Sequence, residues 1–287
     1  MTDGSRQPRV VALVPAYNAA AFIRAALASL ANQTYGNFRV LVSVDRSDDD
    51  TAEQCEAIAQ GDSRFVVVRQ PVRLGWVGNC NALLARADGD LCFFAAHDDE
   101  VAPEYVARLT AALLENRRAV LAFSDLERVR PGGEREVCEY ADLDGVTSRR
   151  ERCRRLMLRG GAWWVPFRGL TYVRAARGIG GLRRHWAGEF VADWPYLLAL
   201  ATAGEFVRVP DVLYRKHHRA SSLSNGWTYD CLRWAGVYGA CARTLATADV
   251  SMAERCELLA MLSHRATAGV VGWCRRRITA CPDHRAQ

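Results

Sequence analysis

The sequence contains almost no lysine: Lys216 is the only one, so arginine carries nearly all of the positive charge. A formal net charge of +6 would fit a protein that binds nucleic acid or an anionic membrane. The arginines are scattered among acidic residues, however, and form only short clusters. A preference for arginine over lysine, together with many alanines, is typical of a GC-rich genome. We therefore expect no nucleic-acid-binding surface.

Several other features are also absent. No two of the ten cysteines are spaced as a C-x-x-C pair, which argues against zinc knuckles and thioredoxin-type redox sites. No hydrophobic run approaches the length of a membrane span, and residues 1–9 are too short and polar for a signal peptide. These absences favour a cytoplasmic protein with reduced thiols and no transmembrane segment. The composition that remains, 50% hydrophobic and 24% charged residues, is that of a globular domain with a full core.

Short apolar segments alternate with helical patterns in the first half of the chain. Strands are predicted at residues 10–14, 38–44, 65–68, 91–96 and 119–123, and helices at 20–31, 51–59, 83–87 and 103–116. Strand–helix alternation with short connections predicts a mostly parallel sheet covered by helices on both faces.

The second half of the chain is less regular. Helices are predicted at residues 148–159 and 193–203 and from 227 onwards, with a strand at 206–209 and a non-helical segment at 163–166. Ser251 and Glu254 have the spacing of a capping box. We expect one α/β domain over residues 1–225, with halves 1–125 and 126–225, and a helical extension over 226–287.

Polar residues follow three of the predicted strands. These clusters lie at residues 15–18, 45–50 and 97–100. Ligands of parallel sheets bind at the carboxyl ends of the strands, so we expect the three clusters to meet in one crevice. Within the last cluster, Asp98 and Asp99 are adjacent carboxylates that would repel each other unless a cation lay nearby. They predict an Mg²⁺ or Mn²⁺ site, or alternatively a solvated turn that caps the following helix.

Five segments in a fixed order carry a family resemblance. They are VALVPAYN at residues 11–18, LANQTYGNF at 30–38, VDRSDDDT at 44–51, RLGWVGN at 73–79 with Asn81, and HDDE at 97–100. Their order and approximate spacing over the first 125 residues resemble the N-terminal half of family 2 glycosyltransferases. The resemblance implies the GT-A fold, a nucleoside-diphosphate-sugar donor and a divalent metal, Mn²⁺ or Mg²⁺. It assigns donor binding to residues 1–125 and acceptor binding to 126–225.

The resemblance also assigns nucleotide-binding residues. Asp45 matches the carboxylate that hydrogen-bonds a uracil or similar base, and the other matching residues would line the base, nucleoside or sugar: Pro15, Ala16, Tyr17, Asn18, Arg73, Gly78 and Asn79. The chain departs from the family in having Val44 where a second acid is common and Arg46 where glycine is common. Either change could alter the base preference, which otherwise favours uridine.

The metal and diphosphate assignments come from two segments. Asp99 would be the direct metal ligand and Asp98 would lie nearer ribose or phosphate. In the segment YRKHH, Arg215 or Lys216 would contact the diphosphate and His217 would join the metal. Ala96 stands where the family often has a further acid, so a leaner metal site is expected.

Acceptor activation requires a carboxylate that takes a proton from the attacking hydroxyl or amine. The family places it at the start of a helix, which Asp193 matches, with Glu189 as a fallback and helix capping as the alternative role of Asp193. Transfer would then invert the anomeric centre in one displacement. The acceptor would be a glycan, a lipid-linked glycan or a small molecule. Its pocket would be lined by Trp163, Trp164 and Arg168, unless the tryptophans are ordinary core residues.

Two other functions remain compatible with this pattern. One is a nucleotidyltransferase on a similar sheet, although the glycine-rich basic loop expected after its first strand is absent. The other is a catalytically silent partner subunit with the same fold. In addition, Trp273 and the arginines at 275–277 could contact an anionic membrane, or the terminal helix could pack on its own domain or on a second copy in a homodimer.

Overall fold

The computed structural model of the chain describes residues 7–219 and 222–279, without the side chains of 223, 224 and 269–279. Within these residues a single sheet contains nine strands: β1 (Val10–Ala16), β2 (Phe38–Val44), β3 (Phe65–Arg69), β4 (Leu91–Phe94), β5 (Glu100–Val101), β6 (Ala119–Val129), β7 (Arg135–Cys138), β8 (Leu170–Tyr172) and β9 (Glu205–His217). The strand order is β3-β2-β1-β4-β8-β6-β9-β5, with β7 paired to β6. The predicted mixed, mostly parallel sheet is confirmed.

The described helices alternate with these strands in the first half and dominate the end of the chain. They are α1 (Ile23–Ala31), α2 (Thr51–Gly61), α3 (Gly75–Arg86), α4 (Tyr105–Glu115), α5 (Arg149–Leu158), α6 (Val173–Gly178), α7 (Asp193–Ala203), α8 (Cys231–Ala246) and α9 (Met252–Thr279). Residues 163–166, predicted as non-helical, lead into a short 3₁₀ helix, Val165–Arg168.

Strand direction determines which loops can meet. Strands β1, β2, β3 and β4 are mutually parallel. Both β4 and β6 pair antiparallel with β8, so β6 runs in the same direction as β4, and β9 is parallel to β6. The carboxyl ends of all these long strands therefore lie at one edge of the sheet.

The C-terminal helices pack on the domain. Helix α8 packs on α7, and α9 packs on both α8 and α5. Ser251 Oγ accepts from the Glu254 N–H at 3.2 Å, which confirms the predicted cap. In the part of the chain that the structure describes, no helix is long and apolar enough to cross a membrane. The side chains of Trp273 and the arginines at 275–277 lie outside the described residues.

Candidate active site

The three predicted polar clusters meet at the carboxyl ends of β1, β2 and β4. The Asn18 N–H donates to Ser47 Oγ at 3.1 Å, and the Asp48 N–H donates to Asn18 Oδ1 at 3.0 Å. Asn18 has φ +43°, a left-handed conformation that asparagine tolerates better than most residues. His97 Nδ1 lies 3.0 Å from the Pro15 carbonyl oxygen. The predicted convergence is confirmed, and Asn18 contributes to it by joining two loops.

Asp45 is buried and fully engaged with the protein. Its carboxylate accepts from Arg73 Nη1 at 2.7 Å and from the N–H groups of Leu74, Gly75 and Arg46 at 2.7, 2.9 and 3.2 Å. A carboxylate offers about four acceptor positions, so these donors use all of them. A base could therefore hydrogen-bond Asp45 only after one donor moved. Of the four donors, Arg73 is the one that donates through its side chain, which is 45% exposed.

Arg73 also covers the ring that the sequence assigned to the base. Its guanidinium carbon lies 3.1 Å from the centroid of the Tyr17 ring. Stacking of an arginine on an aromatic face is favourable, and a nucleotide base would compete for the same face. Pro15 is partly exposed beside this pair, whereas Ala16 is fully buried in β1, so only its backbone could face a ligand.

Glu189, the fallback base, is used to cap helix α3. Its carboxylate accepts from the N–H groups of Trp76 and Val77 at 2.9 and 3.1 Å and pairs with Arg184 at 2.9 Å. Together with Asp45, it satisfies the N–H groups that open the helix and would otherwise lack partners. This end of α3 is therefore neutralised by protein carboxylates.

Gly78 and Asn79 help to pack α3. Asn79 is buried, and its Nδ2 donates to the Ser43 carbonyl oxygen at 2.9 Å, which ties α3 to β2. A Cβ on Gly78 would lie 3.2 Å from Arg184 Nη2. Of these two predicted nucleoside contacts, only Gly78 reaches the surface, and Asn79 is internal.

Asp99 anchors β9 to the end of β4. Its carboxyl group is 1% exposed and accepts from Tyr214 Oη at 3.0 Å and from the His217 N–H at 2.9 Å. Arg168 Nη2 lies 3.7 Å away. Buried carboxylates need such partners because an unpaired buried charge is costly. Asp99 is thus held by the protein on every side.

Asp98 is the more accessible of the two neighbouring acids. Its side chain is 17% exposed, and Arg219 Nε lies 4.0 Å from its Oδ2. The sequence predicted Asp99 as the direct metal ligand. In the structure, however, the oxygens of Asp98 are more accessible than those of Asp99.

The backbone of His217 contacts Asp99, but its imidazole pairs with Glu100. Its Nε2 lies 2.8 Å from Glu100 Oε1. Among the described residues, no three His, Cys, Asp or Glu side chains are grouped as a metal site. Mg²⁺ and Mn²⁺ are often held by one or two carboxylates together with substrate phosphates. These residues would suit a metal of this kind, and Asp98 is the more accessible of the two carboxylates.

The pleat of β9 separates Arg215 from Lys216. Arg215 Nε donates to Glu127 Oε2 at 2.9 Å, and its Nη1 lies 3.7 Å from Glu100 Oε2. Lys216 is surrounded by protein, which lowers the pKa of its ammonium, while the charges of Asp99 and Asp98 oppose this change. Successive residues of a strand face opposite sides. The structure therefore places Lys216, and not Arg215, beside the acids.

Asp193 completes this group of charges. It is the first residue of α7, and burial raises the pKa of its carboxyl group to about 6, although the positive charge of Arg168 acts in the opposite direction. Its Oδ1 is buried without a hydrogen-bond partner among the described residues. Of the buried side-chain atoms without a partner among the described residues, this Oδ1 is the one carboxylate oxygen, and a carboxyl group with a raised pKa beside opposite charges is a candidate functional group. We call Asp98, Asp99, Asp193, Arg168 and Lys216 the aspartate cluster.

The predicted acceptor residues take different positions. The Trp164 ring centroid lies 5.9 Å from Lys216 Nζ, so Trp164 borders the aspartate cluster. Trp163 instead packs edge-on against the buried Trp194 of α7, at 6.4 Å between centroids. Arg168 belongs to the cluster itself. Sequence reasoning missed Tyr214, because nothing in the sequence indicates that its hydroxyl reaches an acid 115 residues earlier.

Residues 11–154, half of the chain, match the sequence profile described as glycosyl transferase family 2. The chain is also similar to the putative glycosyltransferase EpsH of Bacillus subtilis, with 36% identity over 36% of this chain and 29% of that protein. A second relative is the GalNAc(5)-diNAcBac-PP-undecaprenol beta-1,3-glucosyltransferase of Campylobacter jejuni. The two sequences are 30% identical over a segment that covers 33% of this chain and 31% of that protein. The matched segment thus spans about a third of these relatives.

Solved structures resemble the chain over most of its length. TarS 1-349 of S. aureus, in complex with UDP-GlcNAc, has a TM-score of 0.69 at 18% identity, covering 91% of this chain and 73% of that one. The mannosyltransferase PcManGT of Pyrobaculum calidifontis, in complex with GDP-Man and Mn²⁺, has a TM-score of 0.58 at 15% identity, covering 93% and 76%. At these identities the likeness shows the fold, which is that of GT-A glycosyltransferases.

Proposed function

The chain belongs to glycosyl transferase family 2, and on this basis we propose that it transfers a sugar from a nucleoside-diphosphate sugar to a hydroxyl or amine with inversion at the anomeric carbon. The acceptor is a glycan, a lipid-linked glycan or a small molecule. Uridine diphosphate is the favoured donor nucleotide. A UDP-sugar and a GDP-sugar are bound by the two similar structures, so the fold accommodates both.

The observation that carries the proposal is the state of Asp193. A general base is most effective when its pKa lies near the working pH, and the pKa of Asp193 is raised to about 6 by burial. Its Oδ1 has no protein partner in the described part of the chain and can accept a proton from an acceptor. Asp193 would remove that proton as the acceptor oxygen or nitrogen attacks the anomeric carbon from the face opposite the departing diphosphate.

The cations of the aspartate cluster, together with the neighbouring Arg219, support the departure of the diphosphate. Lys216 and Arg219 lie near Asp98, where a diphosphate would bind, and Arg168 balances Asp99. A divalent metal, when bound through Asp98 and the phosphates, would neutralise charge on the leaving group. Fixed positive charge that is already oriented stabilises a departing anion without further rearrangement.

The wider organisation is part of the same proposal. Residues 1–125 would bind the donor, 126–225 the acceptor, and 226–287 would form the helical extension. A cytoplasmic location, contact of the terminal helix with an anionic membrane and homodimer formation remain predictions.

The donor site can be tested by thermal unfolding with UDP, GDP and dTDP, each with and without Mn²⁺. We expect one nucleotide, UDP, to raise the Tm by several degrees only when Mn²⁺ is present. A ligand at 100 times its Kd stabilises the folded state by about 2.7 kcal/mol. Activity is then read as nucleotide released from the matching sugar nucleotide. No shift with any nucleotide would disprove the proposal and favour a silent partner subunit. In a separate assay with a nucleoside triphosphate and a sugar 1-phosphate, release of pyrophosphate would indicate a nucleotidyltransferase.

The pH dependence of the reaction follows from Asp193. The base must be ionised to accept a proton, and the pKa of Asp193 is about 6. We expect kcat/KM to rise about tenfold per unit as the pH increases towards 6 and to level off above it. Initial rates between pH 4.5 and 8.5 at low donor concentration measure this profile. A rate that is constant between pH 5 and 7 would exclude Asp193 as the base.

Lys216 and Arg215 provide a matched pair of variants. Lys216→Ala should weaken UDP binding about tenfold, because it removes a charge-assisted contact beside Asp98. Arg215→Ala should change the Kd by less than about twofold, because Arg215 is paired with Glu127. Calorimetric titration with UDP and Mn²⁺ compares them. Equal losses would show that net charge, and not position on β9, determines affinity.

A further inference from the structure

A second charged pocket lies outside the aspartate cluster. It has a volume of about 430 Å³ and is lined by five arginines and one acid: Arg117, Arg118, Arg149, Arg152, Arg174 and Glu205. Pockets that bind small ligands typically measure a few hundred cubic ångströms or more, so this one could hold a compact molecule.

The pocket lies at the opposite edge of the sheet from the candidate active site. Glu205 opens β9, and Arg118 directly precedes β6, so the pocket is at the amino ends of these strands. The aspartate cluster is at the carboxyl ends. Helix α7 connects the two, since Asp193 begins it and Ala203, which lines the pocket, ends it. At a rise of 1.5 Å per residue, the eleven residues of this helix span about 16 Å.

Two of the arginines have structural partners. Arg149 Nη1 lies 3.0 Å from Glu254 Oε2. Arg152 is buried and donates to the carbonyl oxygens of Ala201 and Val146, both at 3.1 Å. Arg152 forms no ion pair among the described residues, and Glu205 acts on its charge only at longer range. Arg152 shows that guanidinium groups are built into the wall of the pocket.

The remaining three arginines are exposed and weakly neutralised. Arg118 is 80% exposed at its side chain and lies 3.7 Å from Glu205, which also accepts from Asn116. Among the described residues, Arg117 and Arg174 form no ion pair. Arg174 is instead positioned over the Tyr172 ring, at 5.0 Å from its centroid. The pocket therefore carries a clear excess of positive charge.

We propose that this pocket is a second anion-binding site that takes a compact soluble ligand with two phosphates, such as a diphosphate or a bisphosphate ester. Guanidinium groups bind phosphate through paired N–H donors in a planar arrangement, and several of them converge here. Like charges that share one cavity repel each other, and a bound anion relieves this repulsion. The site is separate from the donor site and does not depend on transferase activity.

The test compares two double variants by calorimetric titration with inorganic pyrophosphate, in low salt and with EDTA present. Arg117→Ala/Arg174→Ala removes two exposed pocket arginines that have no acidic partner in the described chain. Arg86→Ala/Arg243→Ala removes two exposed arginines elsewhere, so it changes the net charge equally. Both should keep the wild-type Tm, since neither removes a described ion pair.

We expect the pocket variant to bind pyrophosphate at least about tenfold more weakly than wild type, and the control variant to stay within about twofold. Lys216→Ala should also retain the pyrophosphate affinity, because it alters only the aspartate cluster. The proposal is overturned if the pocket variant binds as well as wild type, or if both double variants weaken binding equally. Loss of binding in Lys216→Ala alone would assign the pyrophosphate to the donor site.

Discussion

Asp193→Asn is expected to lower kcat by roughly 10²- to 10⁴-fold, the usual contribution of a general base. Asparagine has nearly the same shape but cannot take a proton from the acceptor. Donor binding should remain, because the diphosphate is assigned to Lys216, Arg219 and Asp98 and not to Asp193. The effect should therefore appear in kcat, with the Kd for the donor nucleotide within about threefold of wild type.

The same substitution should stabilise the protein at neutral pH. Since the pKa of Asp193 is higher in the folded protein than its usual value of 3.8, the native state binds a proton more tightly than the unfolded chain. Stability is then greatest at low pH and is lost as the pH rises from about 4 through 6. Removing the charge should raise the free energy of unfolding at pH 7.5 by at most about 3 kcal/mol, because a pKa difference of one unit corresponds to about 1.4 kcal/mol.

Urea denaturation at pH 7.5 and at pH 4.5 measures this difference. The Asp193→Asn protein should have a higher free energy of unfolding than wild type at pH 7.5. The two should be nearly equal at pH 4.5, where wild-type Asp193 is protonated. Asp211→Asn, an exposed acid paired with Arg108, is the control and should affect neither kcat nor this pH dependence. An Asp193→Asn protein that is active, or one that is less stable at neutral pH, would contradict the assignment.

Substitutions of the neighbouring acids Asp98 and Asp99 should have different effects, one mainly on ligand binding and the other mainly on the free energy of unfolding. Asp99→Ala removes the acceptor of Tyr214 Oη and of the His217 N–H and leaves the nearby Arg168 without its closest acid. Breaking a buried charged group in this way typically costs about 3–5 kcal/mol. We expect a loss of stability of this size, with activity lost as a consequence.

Asp98→Ala should leave stability nearly unchanged. Its side chain is partly exposed and lies 4.0 Å from Arg219, a contact that contributes little in solvent. It should, however, abolish the Mn²⁺-dependent rise in Tm with nucleotide. Chemical denaturation and thermal unfolding with UDP and Mn²⁺ measure the two effects. If Asp98→Ala kept the metal-dependent shift while folded Asp99→Ala lost it, Asp99 would be the ligand after all.

Local sequence patterns predicted some elements with their full bounds but gave only part of the longest strands, residues 119–123 of β6 and 206–209 of β9. Strand β2 and helix α7 have the predicted bounds, and Ser148 caps α5, accepting from the Glu151 N–H. Continuous apolar runs and capping residues act within a few residues of themselves, so the chain near each position is sufficient to predict them. The short strands β5, β7 and β8 were missed because two to four residues are too few to establish a pattern.

The roles of adjacent residues depended on long-range geometry. β9 pairs with β6 through register shifts near Asp125, and such irregularities change which side chains face a given side. This is why Lys216, and not Arg215, reaches the aspartate cluster. Glu189 similarly became a helix cap because the loop that carries it folds onto the start of α3.

The sequence by itself determined the class of protein: its strand–helix order, the family motifs and the convergence of three strand ends all follow from local pattern and direction. Only the tertiary structure decided which of Asp98 and Asp99 is accessible, and that half-buried Asp193 lies beside Arg168 and Lys216 with its Oδ1 enclosed. It also brought together the arginines of the second pocket, which lie far apart in the sequence. Burial and charge pairing arise between residues distant along the chain, and these determine pKa, accessibility and therefore chemical role.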